Sequence, residues 1–139
     1  MPVVDEFTHE LFIFFNGFAS WENSVIRAGN LTVAEAHAVE ILGTYGPINM
    51  KNLAQKLGVT TGTTTVTVDR LEKEGYAQRE SVKEDRRVYL ITLTDKGKKA
   101  FAEHHKYHNT LTEQVLSILS AEESAQMLAI LKKVNAEIF

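Results

Sequence analysis

The stretch VTTGTTTVTVDRL, residues 59–71, decides how the chain is read. Six of its thirteen residues are Thr and three are Val. β-Branched side chains lose χ1 freedom in a helix and favour strands, so propensity alone makes this a strand. Its phase and its flanks make it a helix. Thr60 stands where an N-cap belongs, and Val59 before it is placed to staple against position 64. Thr64, Val68 and Leu71 then share one helical face, with Thr67 beside it and Arg70 turned outward. Strand alternation would instead bury Arg70 with Val66 and Val68, the costlier arrangement. Gly75 stops the segment, so a helix is expected over 60–74.

The neighbours extend this reading. Asn49 caps a short helix over 50–57 with Leu53, Ala54 and Leu57 inward, and Gly58 is its C′ residue. Only Gly58-Val59 separates the two helices, which makes a helix-turn-helix. Residues 76–81 and 88–93 read as two strands, with the charged run SVKEDRR (81–87) as an exposed loop between them. Upstream, Thr32-Val-Ala-Glu35 is a capping box for a helix to about Thr44, with Ala34, Ala38, Ile41 and Leu42 on one side. Before it, Phe7, Leu11, Phe14, Phe15, Phe18 and Val25 recur at helical steps over 5–28. Thr94 caps a helix over 95–118, and Ser120-Ala-Glu-Glu123 opens a last one to about 136. The expected class is mainly α with a small β-hairpin. A winged helix-turn-helix domain, 31–94, is flanked by a helical region, 1–30 and 95–139.

Composition agrees. At 139 residues, 44% hydrophobic and 24% charged, the chain is a globular domain or two small subdomains. No run approaches the roughly 20 apolar residues of a membrane span, and the acidic start MPVVDEFTHELF is unlike a signal peptide. There is no Cys, hence no disulfide or thiolate chemistry. A cytoplasmic protein with no membrane partner is expected. The net charge of −3 is unevenly placed: residues 51–99 hold eleven Lys/Arg against seven Asp/Glu, net +4, and the rest holds four against eleven, net −7. A basic middle in an acidic frame fits a polyanion-binding module on a separate scaffold.

In a helix-turn-helix the second helix enters the major groove, N-terminal residues first. Its outward residues here include Thr61, Gly62, Thr63, Thr65, Val66 and Arg70. Small Thr side chains admit close approach, their hydroxyls bond phosphates or base edges, and their methyls meet the thymine methyl. Arg70 reaches a guanine or a phosphate. The expected DNA ligands are Thr60, Thr61, Thr63, Thr65 and Arg70, joined by Lys83, Arg86 and Arg87 of a basic wing suited to the minor groove. Asp85 is expected to hold Arg87 rather than touch DNA. The plainer alternatives are a tolerated threonine surface and an ordinary solvated turn. Glu, Lys and Gln would make a better solvated helix, which weighs against the first.

The run LAQKLGVTTGTTTVTVDRLEKEGYAQRESVKEDRRVYLITLTDKG resembles the DNA-binding half of the MarR family of bacterial transcriptional regulators. DRLEKEGY, DRR and ITLTDKG are the most specific parts, and the flanking helices match in order and length. The resemblance implies an obligate homodimer, formed by the first and last two helices, on a near-palindromic operator. It makes 60–74 the recognition helix, Lys83–Arg87 the wing, and Asp85 and Arg87 the wing's paired residues.

Ionisable residues also interrupt three apolar stripes. In the fifth helix Phe101, His104, His108, Leu111, Val115 and Ile118 form a seam with His at i and i+4. His37 falls in the stripe of the second helix, and Glu22 in that of the first. Burying such a group without a partner costs on the order of 1–3 kcal/mol, so they are expected to meet. Glu22, His37, His104 and His108 fit Zn²⁺ or a neighbouring divalent metal. They also match positions in the zinc-uptake repressors that this chain resembles. The fatty-acid-synthesis repressors, which it resembles too, answer to acylated carrier protein and share similar His positions. Three readings stay open: a metal site, a Glu–His packing cluster, and a lining for an organic effector. His9 and His105 fall off the seams. Phe14, Trp21 and Tyr107 could wall an apolar pocket, or be core.

The expected function is a homodimeric regulator, a repressor, modulated by a metal or small effector. It is not expected to be an enzyme: a zinc hydrolase would need H-E-x-x-H or a base beside the His pair, and neither is present. A winged helix that binds only protein is the other rival.

Overall fold

A computed structural model describes residues 2–139. Its order is α1 (Pro2–Arg27), α2 (Val33–Tyr45), α3 (Met50–Leu57), α4 (Thr61–Lys73), β1 (Ala77–Val82), β2 (Asp85–Leu93), α5 (Asp95–Ser117) and α6 (Ala121–Ile138). The chain divides into two compact units, one up to Ala102 and one from Glu103 to Phe139.

In the first unit α2, α3 and α4 close on the hairpin. Ala38, Val39 and Leu42 of α2 meet Leu53 of α3, Val68 and Leu71 of α4, Ala77 of β1 and Ile91 of β2. Each α helix of this trio starts on a side-chain cap: Thr32 accepts from Glu35 N, Asn49 from Asn52 N, and Thr60 from Thr63 N. Gly58 takes φ 69°, the left-handed turn that ends α3 and lets α4 start within three residues. β1 and β2 pair antiparallel from Ala77↔Leu93 to Ser81↔Tyr89, with a bulge before Val82↔Asp85. Ile48 adds a bridge to Ile91, giving the hairpin a third edge.

Three expectations change. The charged run is not a loop: β2 already starts at Asp85, and only Lys83–Glu84 form the turn. β-Branched and paired residues on either side let the ladder run further than hydrophobicity signals. In α2, Ala34 is exposed, while Glu35 and Ala36 are buried, so the core face is rotated by about one position. The fifth helix stops at Ser117, and Ile118 is left exposed in the turn beyond it.

α1 keeps a buried end, Glu22 and Ile26, while Phe7, Phe12, Phe14 and Phe15 are exposed. In the second unit, Leu111 and Val115 on α5 and Leu119 beyond it are half-buried. α6 begins on a complete capping box: Glu123 N donates to Ser120 Oγ (3.1 Å), and Ser120 N donates to Glu123 Oε1 (2.9 Å). That backbone donation holds the Glu123 carboxyl below its ordinary value. Leu128, Ile130, Leu131, Val134 and Ile138 of α6 are exposed. No helix among the described residues is long and apolar enough to cross a membrane.

Candidate nucleic-acid interface

The threonines of α4 settle into a helix by hydrogen-bonding to it. Thr64 Oγ1 donates to Thr60 O (2.8 Å), Thr65 Oγ1 to Thr61 O (2.8 Å) and Thr67 Oγ1 to Thr63 O (3.2 Å). This back-bonding gives each of these three hydroxyls a partner one turn earlier, while packing of the inner face against the core offsets the poor propensity. Thr64 and Thr67 are buried with Val68 and Leu71, so two of the five threonines of α4 belong to the core. Thr61, Thr63, Val66, Asp69 and Arg70 are exposed, and Thr65 is half-buried. Thr60 spends its oxygen on the Thr63 N–H, and its hydroxyl donates to Thr63 Oγ1 (3.1 Å). The predicted contact residues of α4 therefore share one outward surface, with different hydroxyls in different states. The donors of Thr60 and Thr65 are committed inside the chain.

At the wing, Lys83 and Arg86 are exposed. Arg87 N donates to Asp85 Oδ1 (3.0 Å), and its guanidinium forks onto the same carboxylate through Nε (3.2 Å) and Nη2 (3.4 Å). Those donors hold the Asp85 carboxyl below its ordinary value. Asp85 thus aims an otherwise mobile, 92% exposed guanidinium.

Of the other expected site residues, Glu22 and His37 lie in the first unit, His104 and His108 in the second. In the first unit His37 Nε2 lies 3.5 Å from Glu22 Oε2, with Glu22 buried. The Glu22 bond lifts the His37 pKa, burial opposes it, and the charges of Glu22 and Glu40 add to the rise. In the second unit His104 Nε2 and His108 Nε2 are 3.0 Å apart on adjacent turns of α5, both half-buried. Two nitrogens on a tetrahedral Zn²⁺ at 2.0–2.1 Å would be about 3.3 Å apart, so this pair fits chelation with a small adjustment. His9 and His105 are exposed. A cleft of about 770 Å³ opens at the base of the wing, walled by Leu42, Thr92, Leu93, Lys98 and Phe101 among others. Phe14, Trp21 and Tyr107 are not among its walls.

Comparison with known proteins places this architecture. The MarR family model matches residues 31–89, which span the helix-turn-helix and most of the hairpin. An HTH-type transcriptional regulator of Bacillus cereus is 30% identical over 126 residues, covering 88% of this chain and 82% of its own. The chain belongs to the MarR family. It is a winged-helix, DNA-binding transcriptional regulator in type. YfiV of Bacillus subtilis is 30% identical over 94 residues, covering 68% of this chain but only 59% of its own length. FabT of Streptococcus pneumoniae, solved in complex with DNA, superposes with a TM-score of 0.80 at 26% identity, over 96% of this chain and 95% of that one.

Four residues of this MarR-type head escape a reading of the stripes. Arg79 of β1 grips Asp69 and Glu72 of α4. Strand alternation puts it on the face of Ala77, and that was the available signal. Glu40, three residues beyond His37, adds to the charge around it, as helical i,i+3 spacing allows. Glu35 is buried at 2% exposure, its Oε1 accepting from Thr32 Oγ1 (3.0 Å), and it raises the pKa of Glu74 at the end of α4. Lys96 donates to Glu74 O (2.7 Å) and lies over the Tyr76 ring. Nothing local in the sequence marks the last two contacts, because they join residues far apart along the chain.

Proposed function

We propose that this protein is a homodimeric repressor that reads a near-palindromic operator with two copies of α4 and two wings. The observation that carries the reading is the outward row of Thr61, Thr63 and Arg70 beside a guanidinium, Arg87, that Asp85 holds ready. FabT, solved with DNA and superposing along nearly the whole chain, supports it. The exposed apolar faces of α1 and α6 support dimerisation, since each exposes large side chains that a single copy leaves in water. The named relatives are transcriptional regulators, which supports regulation rather than catalysis. A chromosomal operator places the work in the cytoplasm.

The test is selection of an operator from random duplexes, followed by salt-dependent binding. Arg70→Ala and Arg87→Ala should each weaken affinity and reduce the salt slope by about 1 if each meets a phosphate. Unchanged affinity in both would remove the reading and favour a winged helix that binds only protein.

The proposed effector is a divalent metal for which His104 and His108 supply two ligands. Their 3.0 Å Nε2 separation is the support. Zn²⁺ would supply charge and a fixed ligand geometry when bound, and metal binding is read as favouring the DNA-competent form, a corepressor. Calorimetry with Zn²⁺, Mn²⁺ and Ni²⁺ on chelator-stripped protein should show one site per subunit, lost in His104→Ala/His108→Ala. The same titration on Glu22→Gln and His37→Asn measures how far each contributes. If no metal binds, the cleft walled by Leu42 and Phe101 becomes the candidate for an organic effector, its volume lying within the range of small-molecule sites.

A further inference from the structure

We propose that Arg79 is a positioning residue that makes the recognition helix and the wing one rigid reading head. The inference rests on the operator-binding reading above. Arg79 Nη2 donates to Asp69 Oδ1 (2.7 Å), and Nη1 donates to Glu72 Oε1. The two carboxylates lie at i and i+3, stacked one turn apart on α4. A planar guanidinium spread across both fixes the distance of the helix from β1 and also its rotation about its own axis. Lys in its place would be a point charge and could not hold both in the same way. The Arg79 side chain is 26% exposed and Glu72 34%, so the Glu72 arm is only partly screened by solvent, while Asp69 at 60% is the more solvated arm.

Its place in the chain gives the grip a consequence. The other polar ties between helix and hairpin lie at the C-terminal end of α4: Tyr76 N donates to Leu71 O, and Thr94 Oγ1 to Gly75 O. Arg79 takes hold further along, at Asp69, beside the outward Arg70. From Arg79 the ladder runs through Glu80↔Leu90 and Ser81↔Tyr89 to the Asp85–Arg87 wing. One ion-paired fork therefore joins the groups placed for the major groove to those placed for the minor groove. It also neutralises two carboxylates that would otherwise face a phosphate backbone. Specificity for spacing between the two grooves follows from the join, because neither element can re-aim alone.

The experiment is dimethyl sulfate footprinting, which reads guanine N7 in the major groove and adenine N3 in the minor groove, beside hydroxyl-radical footprinting and anisotropy titration on the selected operator, for wild type, Arg79→Gln, Arg79→Lys and Arg79→Gln/Asp69→Asn/Glu72→Gln. Wild-type protection in both grooves comes first; its absence would fail the operator reading and not this inference. Arg79→Gln should keep the major-groove footprint, lose the wing's minor-groove footprint, and bind about tenfold to hundredfold more weakly, the scale of one or two lost base contacts. The triple variant, free of unpaired charge and with melting as its folding check, should still lack the minor-groove footprint. Arg79→Lys should recover affinity only in part. Restoration of both footprints in the triple variant would overturn the inference, leaving Arg79 as charge neutralisation. So would intact footprints in Arg79→Gln with a salt slope lower by about 1, the mark of a direct phosphate contact.

Discussion

α4 and α1 make opposite cases of what a helix needs. α4 is poor in helix formers, yet it is closed within the chain. Its threonines bond to the preceding turn, its inner face lies in the core, and Arg79 grips its flank. α1 has the better pattern, with phenylalanines at helical steps, yet its first half is exposed. Phe7 is 65% exposed and Phe15 61%. Burying a Phe side chain is worth about 1.5–3 kcal/mol, so several left in water are a large unspent driving force. A helix can thus be settled by contacts its sequence barely signals. Another can signal a contact that, on the proposed reading, a second copy would supply.

The sharpest way to break the comparison is to make α1 polar. If the protein is the proposed dimer, Phe12→Asp/Phe15→Asp should convert it to monomer in sedimentation equilibrium and lower operator affinity by about a hundredfold or more, since two linked half-sites bind far more tightly than one. The same pair of changes should leave the unfolding of the winged-helix core nearly unmoved. A variant that stays dimeric would return the α1 phenylalanines to the status of a tolerated surface.

A smaller effect tests closure on the other side. A Cβ built on Gly97 would lie 2.0 Å from Tyr76 O and 3.0 Å from a Leu93 methyl. The backbone of the α4–β1 turn sits directly against the start of α5, where only Gly fits. Gly97→Ala should cost about 1–3 kcal/mol by overpacking, and lower the melting temperature by roughly 3–12 °C. An unchanged melting curve would mean that this closure is looser than its geometry.

The sequence disclosed most of this architecture because its signals are local. Thr32, Asn49, Thr60 and Ser120 all cap where spacing placed them, and Gly58 ends α3 in the left-handed turn. The wing pair Asp85 and Arg87 is two residues apart and equally local. Strand extent was less legible: β2 starts three residues early because ladder pairing with β1 decides it, not hydrophobicity. The rotation of α2 that buries Glu35 and exposes Ala34 depends on where α4 ends, forty residues away. Arg79 and Lys96 act across shorter but still non-local separations, 7, 10 and 22 residues, and no single-segment pattern carries such contacts.

Glu35 sharpens the comparison further, since it is a closure that sets one carboxyl beside another. Glu35 is buried, its Oε2 has no hydrogen-bond partner among the described residues, and it raises the pKa of the exposed Glu74 carboxyl. Two carboxylates cannot bond each other unless one is protonated. Accordingly the Glu35 bond, then burial, raise the Glu74 pKa, while Lys96 and Arg70 pull it down. A raised folded-state value means that the contact stabilises fully below the ordinary carboxylate range and is lost as pH rises through the raised value. Glu35→Gln supplies an amide donor at every pH. It should raise the melting temperature at pH 7 by roughly 2–6 °C and flatten its dependence just above the ordinary carboxylate range. Superposable wild-type and variant profiles would show that no proton is shared there.

The smallest expected effect lies between α1 and α2, at the buried end of the helix whose other end is exposed. Glu22 raises the His37 pKa chiefly by its bond, with its charge and that of Glu40 adding and burial opposing. Glu22→Gln should therefore lower the His37 value toward the ordinary 6.5 of an imidazole without removing the share due to Glu40. The sign for stability follows. The Glu22–His37 contact contributes fully below the unfolded-state value and fades as pH rises through the raised folded one. Wild type should thus lose a little stability across that window, and Glu22→Gln should lose less. His37 is 43% exposed along its side chain, so solvent screening keeps the difference small. ¹H–¹⁵N titration of the His37 ring in both proteins reads the shift directly. If metal binding at this end recruits His37, added Zn²⁺ should abolish the titration, because a ligating ring is unprotonated. If the pair only packs α1 on α2, the ring should titrate identically with and without the metal.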